Sequence, residues 1–253
     1  MNKRIVLFLF SFFVLHSMLY AQNRTVRSNT NGWYMYFGDH KFSNTWGVHL
    51  EAQFRRNQVI NNGQQLLLRA GINYHLNDAA FVTLGYCFVE TYPYGAFPVK
   101  ARFPENRIWQ QLQVKNKMGS IEWVSRFRFE QRFSKLPVFN TSVYEPGDAV
   151  YTNRFRLLNR ASIPFKGKSI QDRSFYVSVY DELFINFGKH VAANIFDQNR
   201  AYLALGYKIP NVGRLELGYM NQLLFKTDGI KVENNHTLQI GILSTIEFRH
   251  KHS

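Results

Sequence analysis

From Ile121 to Phe133 the chain sorts its side chains into two alternating sets. The odd positions are Ile121, Trp123, Ser125, Phe127, Phe129, Gln131 and Phe133; the even ones are Glu122, Val124, Arg126, Arg128, Glu130 and Arg132. A β-strand turns successive side chains to opposite faces, so this segment has one aromatic face and one ladder of charge. Whatever the chain folds into must give each face a different surrounding.

The same pattern recurs along the chain, and no helical period stands out. In Trp46 to Arg56, the residues Trp46, Val48, Leu50, Ala52 and Phe54 oppose His49, Glu51, Gln53 and Arg55. In Gln65 to Leu76, Leu66, Leu68, Ala70, Ile72 and Tyr74 oppose Gln65, Arg69, Asn73 and His75. Tyr151 to Phe165 and Arg214 to Gln222 behave alike, with Arg154, Arg156 and Arg160 on one polar face and Arg214, Glu216 and Gln222 on the other. Weaker versions lie at 80–91, 105–116, 174–186, 199–209 and 235–248, and a short one at Trp33 to Phe37. Most of these eleven candidates have 10–14 residues. Strands of soluble proteins average about 5–6 residues, whereas a tilted strand crossing a bilayer needs about 9–11. Length therefore favours a transmembrane barrel over a soluble sandwich.

The connections agree. Short links at 77–78, 117–119, 166–173 and 210–212 alternate with longer ones at 57–64, 92–104, 134–150, 187–198 and 226–234. Outer-membrane barrels have that asymmetry, with short turns on one side and longer loops on the other. The expected fold is all-β: a single antiparallel up-and-down transmembrane barrel of ten to twelve strands with a polar, charged lumen. Strands 46–56 through 235–248 make ten, with both ends on the short-turn side. The Trp33 strand then spoils an even count. It either pairs with a strand not evident in the sequence, giving twelve, or covers a seam, or enters the lumen.

Composition fits this reading. With 45% hydrophobic residues and 19% charged, the mean hydropathy is −0.28. Helical spans need apolar runs of about 20 residues, which a negative mean excludes as the main architecture. Disorder is excluded by 23 Phe, 14 Tyr and 4 Trp. In a barrel only alternate residues meet lipid. Aromatic residues placed near strand ends, among them Trp46, Tyr74, Tyr86, Phe133, Tyr207 and Tyr219, would form its interfacial girdles. The inward set is Glu51, Arg55, Arg69, Glu105, Arg107, Glu122, Arg126, Arg128, Glu130, Arg132, Arg154, Arg156, Glu182, Arg200 and Glu216. A narrow lumen must pair these charges, because an unpaired buried charge costs several kcal/mol. Arginine suits the task, since its planar fork matches a carboxylate.

Residues 1–21 read as a secretory signal. Lys3 and Arg4 precede an apolar stretch from Ile5 to Leu15, and Ala21 precedes the polar Gln22, although Leu19 is large for its place before the cleavage site. The competing reading is an N-terminal membrane anchor. Residues 22–253 then form one barrel domain carrying 29 Lys and Arg against 17 Asp and Glu, a net +12. The single cysteine, Cys87, permits no internal disulfide. Interleaving of the basic residues with acids argues against nucleic acid as partner. The expected partners are outer-membrane lipid, lipopolysaccharide facing the loop lysines, and the barrel-assembly machinery during biogenesis. The expected state is a monomer.

Several motifs resemble a family of uncharacterised proteins, domain of unknown function DUF2490, over essentially the whole mature chain. They are Leu68-Arg69-Ala70-Gly71 with Tyr74, Gly85-Tyr86, Pro104-Glu105-Asn106-Arg107 with Gln110-Gln111, the run Arg126 to Arg132, Arg154-Phe155-Arg156, Asp181-Glu182-Leu183-Phe184, Gln198-Asn199-Arg200, Gly218 to Gln222, and Asn235-His236. The resemblance implies an outer-membrane β-barrel and no assigned activity.

No catalytic, cofactor or metal constellation emerges. A lipid hydrolase or acyltransferase would need a nucleophile, a base and an orienting group in reach of one another. His49, His75 and His236 are candidate bases and Ser125 and Ser178 candidate nucleophiles, but no spacing ties them together and no Gly-x-Ser-x-Gly elbow occurs. His250 and His252 lack acidic or cysteine partners for a metal. Asp181 and Glu182, being adjacent on a strand, point to opposite faces. The leading function is a barrel of unknown molecular activity with a structural or interaction role, or narrow solute passage, through an Arg/Glu ion-paired lumen; the alternatives are an outer-membrane lipid-modifying enzyme (hydrolase or acyltransferase) and a small anion-preferring channel.

Overall fold

The computed structural model describes residues 24–246 and 248. The signal at 1–21 and the His250–His252 tail lie outside them. Thirteen strands follow one another: β1 Thr25–Lys41, β2 Trp46–Asn57, β3 Gly63–His75, β4 Ala80–Thr91, β5 Phe103–Met118, β6 Ile121–Ser134, β7 Pro137–Asn140, β8 Val143–Pro146, β9 Val150–Pro164, β10 Phe175–Phe187, β11 Phe196–Ile209, β12 Gly213–Phe225 and β13 Lys231–Ser244. Eleven close into a barrel in the order β1-β13-β12-β11-β10-β9-β6-β5-β4-β3-β2, while β7 and β8 pair only with each other, as a hairpin within one loop.

Eleven lies between ten and twelve, and β1 is the reason. The short strand expected at Trp33 to Phe37 runs for 17 residues. It pairs antiparallel with β2, Trp33 beside Arg55, and parallel with β13, Trp33 beside Gln239. An up-and-down barrel with an odd number of strands must contain one parallel pair, since the first and last strands then run the same way. The even count common in bacterial barrels is therefore not followed here, and β1 occupies the seam.

Odd parity also separates the two ends of the chain. Connections 58–62, 92–102, 135–149, 188–195 and 226–230 leave one mouth, together with the start of β1. Connections 42–45, 76–79, 119–120, 165–174 and 210–212 leave the other, together with the end of β13. Thr25 and Ser244 thus sit at opposite mouths, whereas the ten-strand arrangement would put both ends on one side. The 165–174 connection, expected to be short, has ten residues and buries Ile170.

The exterior is apolar, and among the described residues the one sheet besides the barrel is the β7–β8 hairpin. Leu50 and Phe54 of β2, Leu68 and Ile72 of β3, Leu84 of β4, Ile108 of β5, Phe127 of β6, Phe155 of β9, Ile185 of β10, Leu203 and Leu205 of β11, Leu217 of β12, and Leu238 and Ile242 of β13 are all exposed. In a sandwich these faces would meet and form the core. Here they point away from the barrel, and the charged face is the buried one. Two expected girdle residues depart from the strand ends. Tyr86 lies mid-strand and donates to Asn106 Oδ1 at 2.5 Å; Tyr219, also mid-strand, hydrogen-bonds His236 Nδ1 at 2.6 Å. The outward Asp181 accepts a bond of 2.8 Å from Asn199.

Candidate functional site: the filled lumen

An eleven-strand barrel is wider than the eight-strand kind that side chains just fill. This one is filled by arginines stacked on aromatic rings. Trp109 on β5 lies under the guanidiniums of Arg128 and Arg69, at 4.6 and 5.3 Å from its ring centre. Phe184 on β10 carries Arg156, Arg200 and Arg154 at 4.5, 4.5 and 5.2 Å. Trp33 on β1 carries Arg55 and Arg200 at 3.8 and 4.9 Å. A cation over a ring face is attracted by its quadrupole, more strongly when desolvated. Each ring also supplies the flat apolar bulk that long side chains need to pack against.

Room for the Trp109 indole comes from two glycines. Gly71 and Gly85 face each other across β3 and β4. A Cβ on Gly85 would lie 2.7 Å from Trp109 Cζ2, and one on Gly71 would lie 2.9 Å from the same atom. The sheet wall is bare backbone where the indole lies.

Carboxylates tie the arginines together. Glu130 is fully buried and receives Arg156 at 2.8 Å, Arg154 at 2.6 Å and Arg69 at 3.2 Å. Glu182 receives Arg126 and Arg156, each at 2.7 Å, with Arg200 further off at 3.7 Å. Glu105 receives Arg107 and Arg132, both at 2.6 Å. Glu51 pairs with Arg69 and lies 3.9 Å from Arg128, whose other donors go to Gln111. Nearer the short-turn mouth, Glu216 pairs with Arg160 and accepts from Tyr176 and Tyr202, while Glu122 pairs with Arg214 at 2.6 Å. Arg55 holds only the amide oxygens of Gln53 and Gln65. All fifteen expected inward side chains are thus accounted for, and three of them (Glu122, Arg126 and Arg132) are only partly buried.

The network also holds groups the sequence reading left out. Asp197 pairs with Arg154 at 2.9 Å. By alternation it should face outward, since Gln198 faces inward. The register shift between Phe184 and Ile185 skips Asp197, so this bulged residue also turns into the lumen. Asp39 holds His49 Nδ1 at 2.8 Å, and Glu51 lies 3.3 Å from the other ring nitrogen. Glu233 pairs with Lys226 at 2.7 Å. Parity with Glu105 and Arg107 would have placed Trp109 inside, and parity with Glu182 would have placed Phe184 there.

The candidate nucleophiles and bases are scattered. Ser125 donates to Asn159 on the outer face, and Ser178 faces Ser162 in the lumen. His49 is held between two carboxylates, and His236 stacks on Tyr219. Ser125 on β6 and His236 on β13 are separated by four intervening strands, about 4.8 Å per step. Among the described residues no group of three His, Cys, Asp or Glu side chains is placed to hold a metal.

A model of proteins of unknown function, DUF2490, matches residues 30–234, from within β1 to within β13. The chain belongs to this family. Motifs by which it resembles DUF2490 lie in the network just described: Glu105 and Arg107, Arg128 and Glu130, Arg154 and Arg156, Glu182, and Arg200. An uncharacterized protein of Methylorubrum extorquens is 27% identical over 199 residues, covering 76% of this chain and 77% of that relative. No solved structure matches the chain.

Proposed function

We propose that this DUF2490 protein is a β-barrel of a Gram-negative outer membrane, exported by residues 1–21, whose lumen is closed by an arginine–carboxylate plug. Its role is in envelope structure or interaction rather than catalysis. One observation carries the reading: large apolar side chains are exposed around the barrel while the charged side chains between them are buried. Such an exterior fits lipid, because water would leave far more contiguous apolar area exposed than soluble monomers tolerate. A closed sheet also leaves no backbone donor or acceptor unpaired in a bilayer. The long-loop mouth would face outward, where its loops meet lipopolysaccharide.

The plug opposes a wide channel. Trp33, Trp109 and Phe184 are each at most 1% exposed, and Arg128 and Glu130 are as deeply buried. The test is expression in a Gram-negative host followed by membrane fractionation and electrophoresis with and without boiling. The expected result is sedimentation with outer membranes and faster migration of the unboiled form. Recovery in the soluble fraction would reject the proposal.

A further inference from the structure

A cavity of about 200 Å³ lies in the lumen beneath the 92–102 loop, walled by Trp33, Arg55, Arg200 and Gln198 among others. The loop is fastened over it. The amide of Ala96 donates to Asn29 Oδ1 at 3.0 Å, and Tyr94 donates across the mouth to Glu233 at 3.3 Å. Burial, and then the Glu233 carboxylate, push the Tyr94 phenol above its ordinary range, so it stays protonated as a donor.

Eight cationic side chains line this cavity. Six of them, Arg69, Arg107, Arg132, Arg154, Arg156 and Lys226, each have a carboxylate within 3.2 Å. The other two do not. Arg55 binds only amide oxygens, and Arg200 reaches Gln198 at 3.3 Å and Glu182 at 3.7 Å. Glu182 already serves Arg126 and Arg156. Arg55 and Arg200 are 92% and 93% buried, and both stack on Trp33. Two buried guanidiniums sharing one ring repel each other, and buried charge is costly where, as at Arg55, no carboxylate pairs with it, or where, as at Arg200, the carboxylate is distant and shared.

We propose that this cavity is a binding site for a small oxyanion of the phosphate or carboxylate class, held between Arg55 and Arg200. Guanidinium forks suit such planar or tetrahedral oxygen sets, and their charge-assisted bonds are short and strong. The Trp33 ring fixes the two forks, and the 92–102 loop covers the anion. The site depends on the barrel lumen alone and not on insertion into lipid.

The test uses the purified, folded full chain. Inorganic phosphate and succinate are titrated separately at constant ionic strength, with chloride as the balancing salt, by calorimetry and by thermal unfolding. Saturable heat and a raised Tm with either anion are expected, and the stronger of the two assigns the class. Arg55→Gln with Arg200→Gln should weaken binding about tenfold or more, the worth of a charge-assisted bond. The same double variant should have a higher Tm than the parent in chloride, because the repulsion is gone. Lys208→Gln, at the other mouth, should bind as the parent does. No saturable binding of either anion by the parent would overturn the proposal. So would retained binding in the double variant.

Discussion

Thr25 lies beside Lys231 in parallel register, and the ladder that begins with them closes the barrel. Every other neighbouring pair in the barrel runs antiparallel. The closure is specific and can be trapped. Thr30 and His236 are register partners on one face, whereas Thr30 and Thr237 point to opposite faces. Thr30→Cys with His236→Cys is expected to crosslink under mild oxidation, and Thr30→Cys with Thr237→Cys is not. Non-reducing electrophoresis reads both.

The central carboxylate should be the costliest to remove. Glu130 binds three arginines in the lumen, and its loss leaves them buried and unbalanced. Glu130→Gln is expected to lower unfolding stability by about 3–5 kcal/mol. Glu122, partly exposed and holding Arg214 alone, should cost at most about 1 kcal/mol as Glu122→Gln. Denaturant midpoints in one detergent compare the two.

Gly85 tests the packing of the plug. Its missing side chain makes room for Trp109, so Gly85→Val overfills the wall. A loss of about 1–3 kcal/mol is expected. Gly85→Val combined with Trp109→Leu should recover part of it, because the indole is one of the groups the new side chain meets, the others being the Ala70 carbonyl and the Gly71 backbone. Failure of the second change to recover stability would show that the strain lies elsewhere.

The alternation makes much of this structure legible in the sequence. Ile121 to Phe133 already contained both surfaces, because a period of two assigns each side chain a face. Alternation fails where the ladder slips: by parity with Gln198, Asp197 would face outward, and the bulge that turns it into the lumen leaves no mark in the residue types around it. Trp109 and Phe184 were hidden for another reason. Aromatic residues are expected on the lipid side, yet these two share parity with the charges and serve as their packing surface. Most of β1 is unreadable, since Thr25 to Gly32 has Val26 as its one large apolar side chain and shows no alternation. That segment is placed by its pairing with β13, a contact between the two ends of the chain.

Topology gives a prediction about the two mouths. An epitope inserted in the 135–149 loop and one at Gly119 lie at opposite ends of the barrel. In intact cells only the first should bind antibody, and the second should become reactive after the outer membrane is permeabilised. The reverse pattern would invert the proposed orientation.

The exterior decides the central claim. Leu50 on β2 and Leu203 on β11 are exposed apolar residues on well-separated strands. Single cysteines placed there, in a Cys87→Ser background, can carry an environment-sensitive fluorophore. After folding into vesicles, quenching by lipids labelled within their acyl chains measures contact with the hydrocarbon. Strong quenching at both sites, with a label at the exposed loop residue Asn61 left unaffected, is the predicted result. A folded protein whose labels at 50 and 203 are quenched only by water-soluble agents would contradict it.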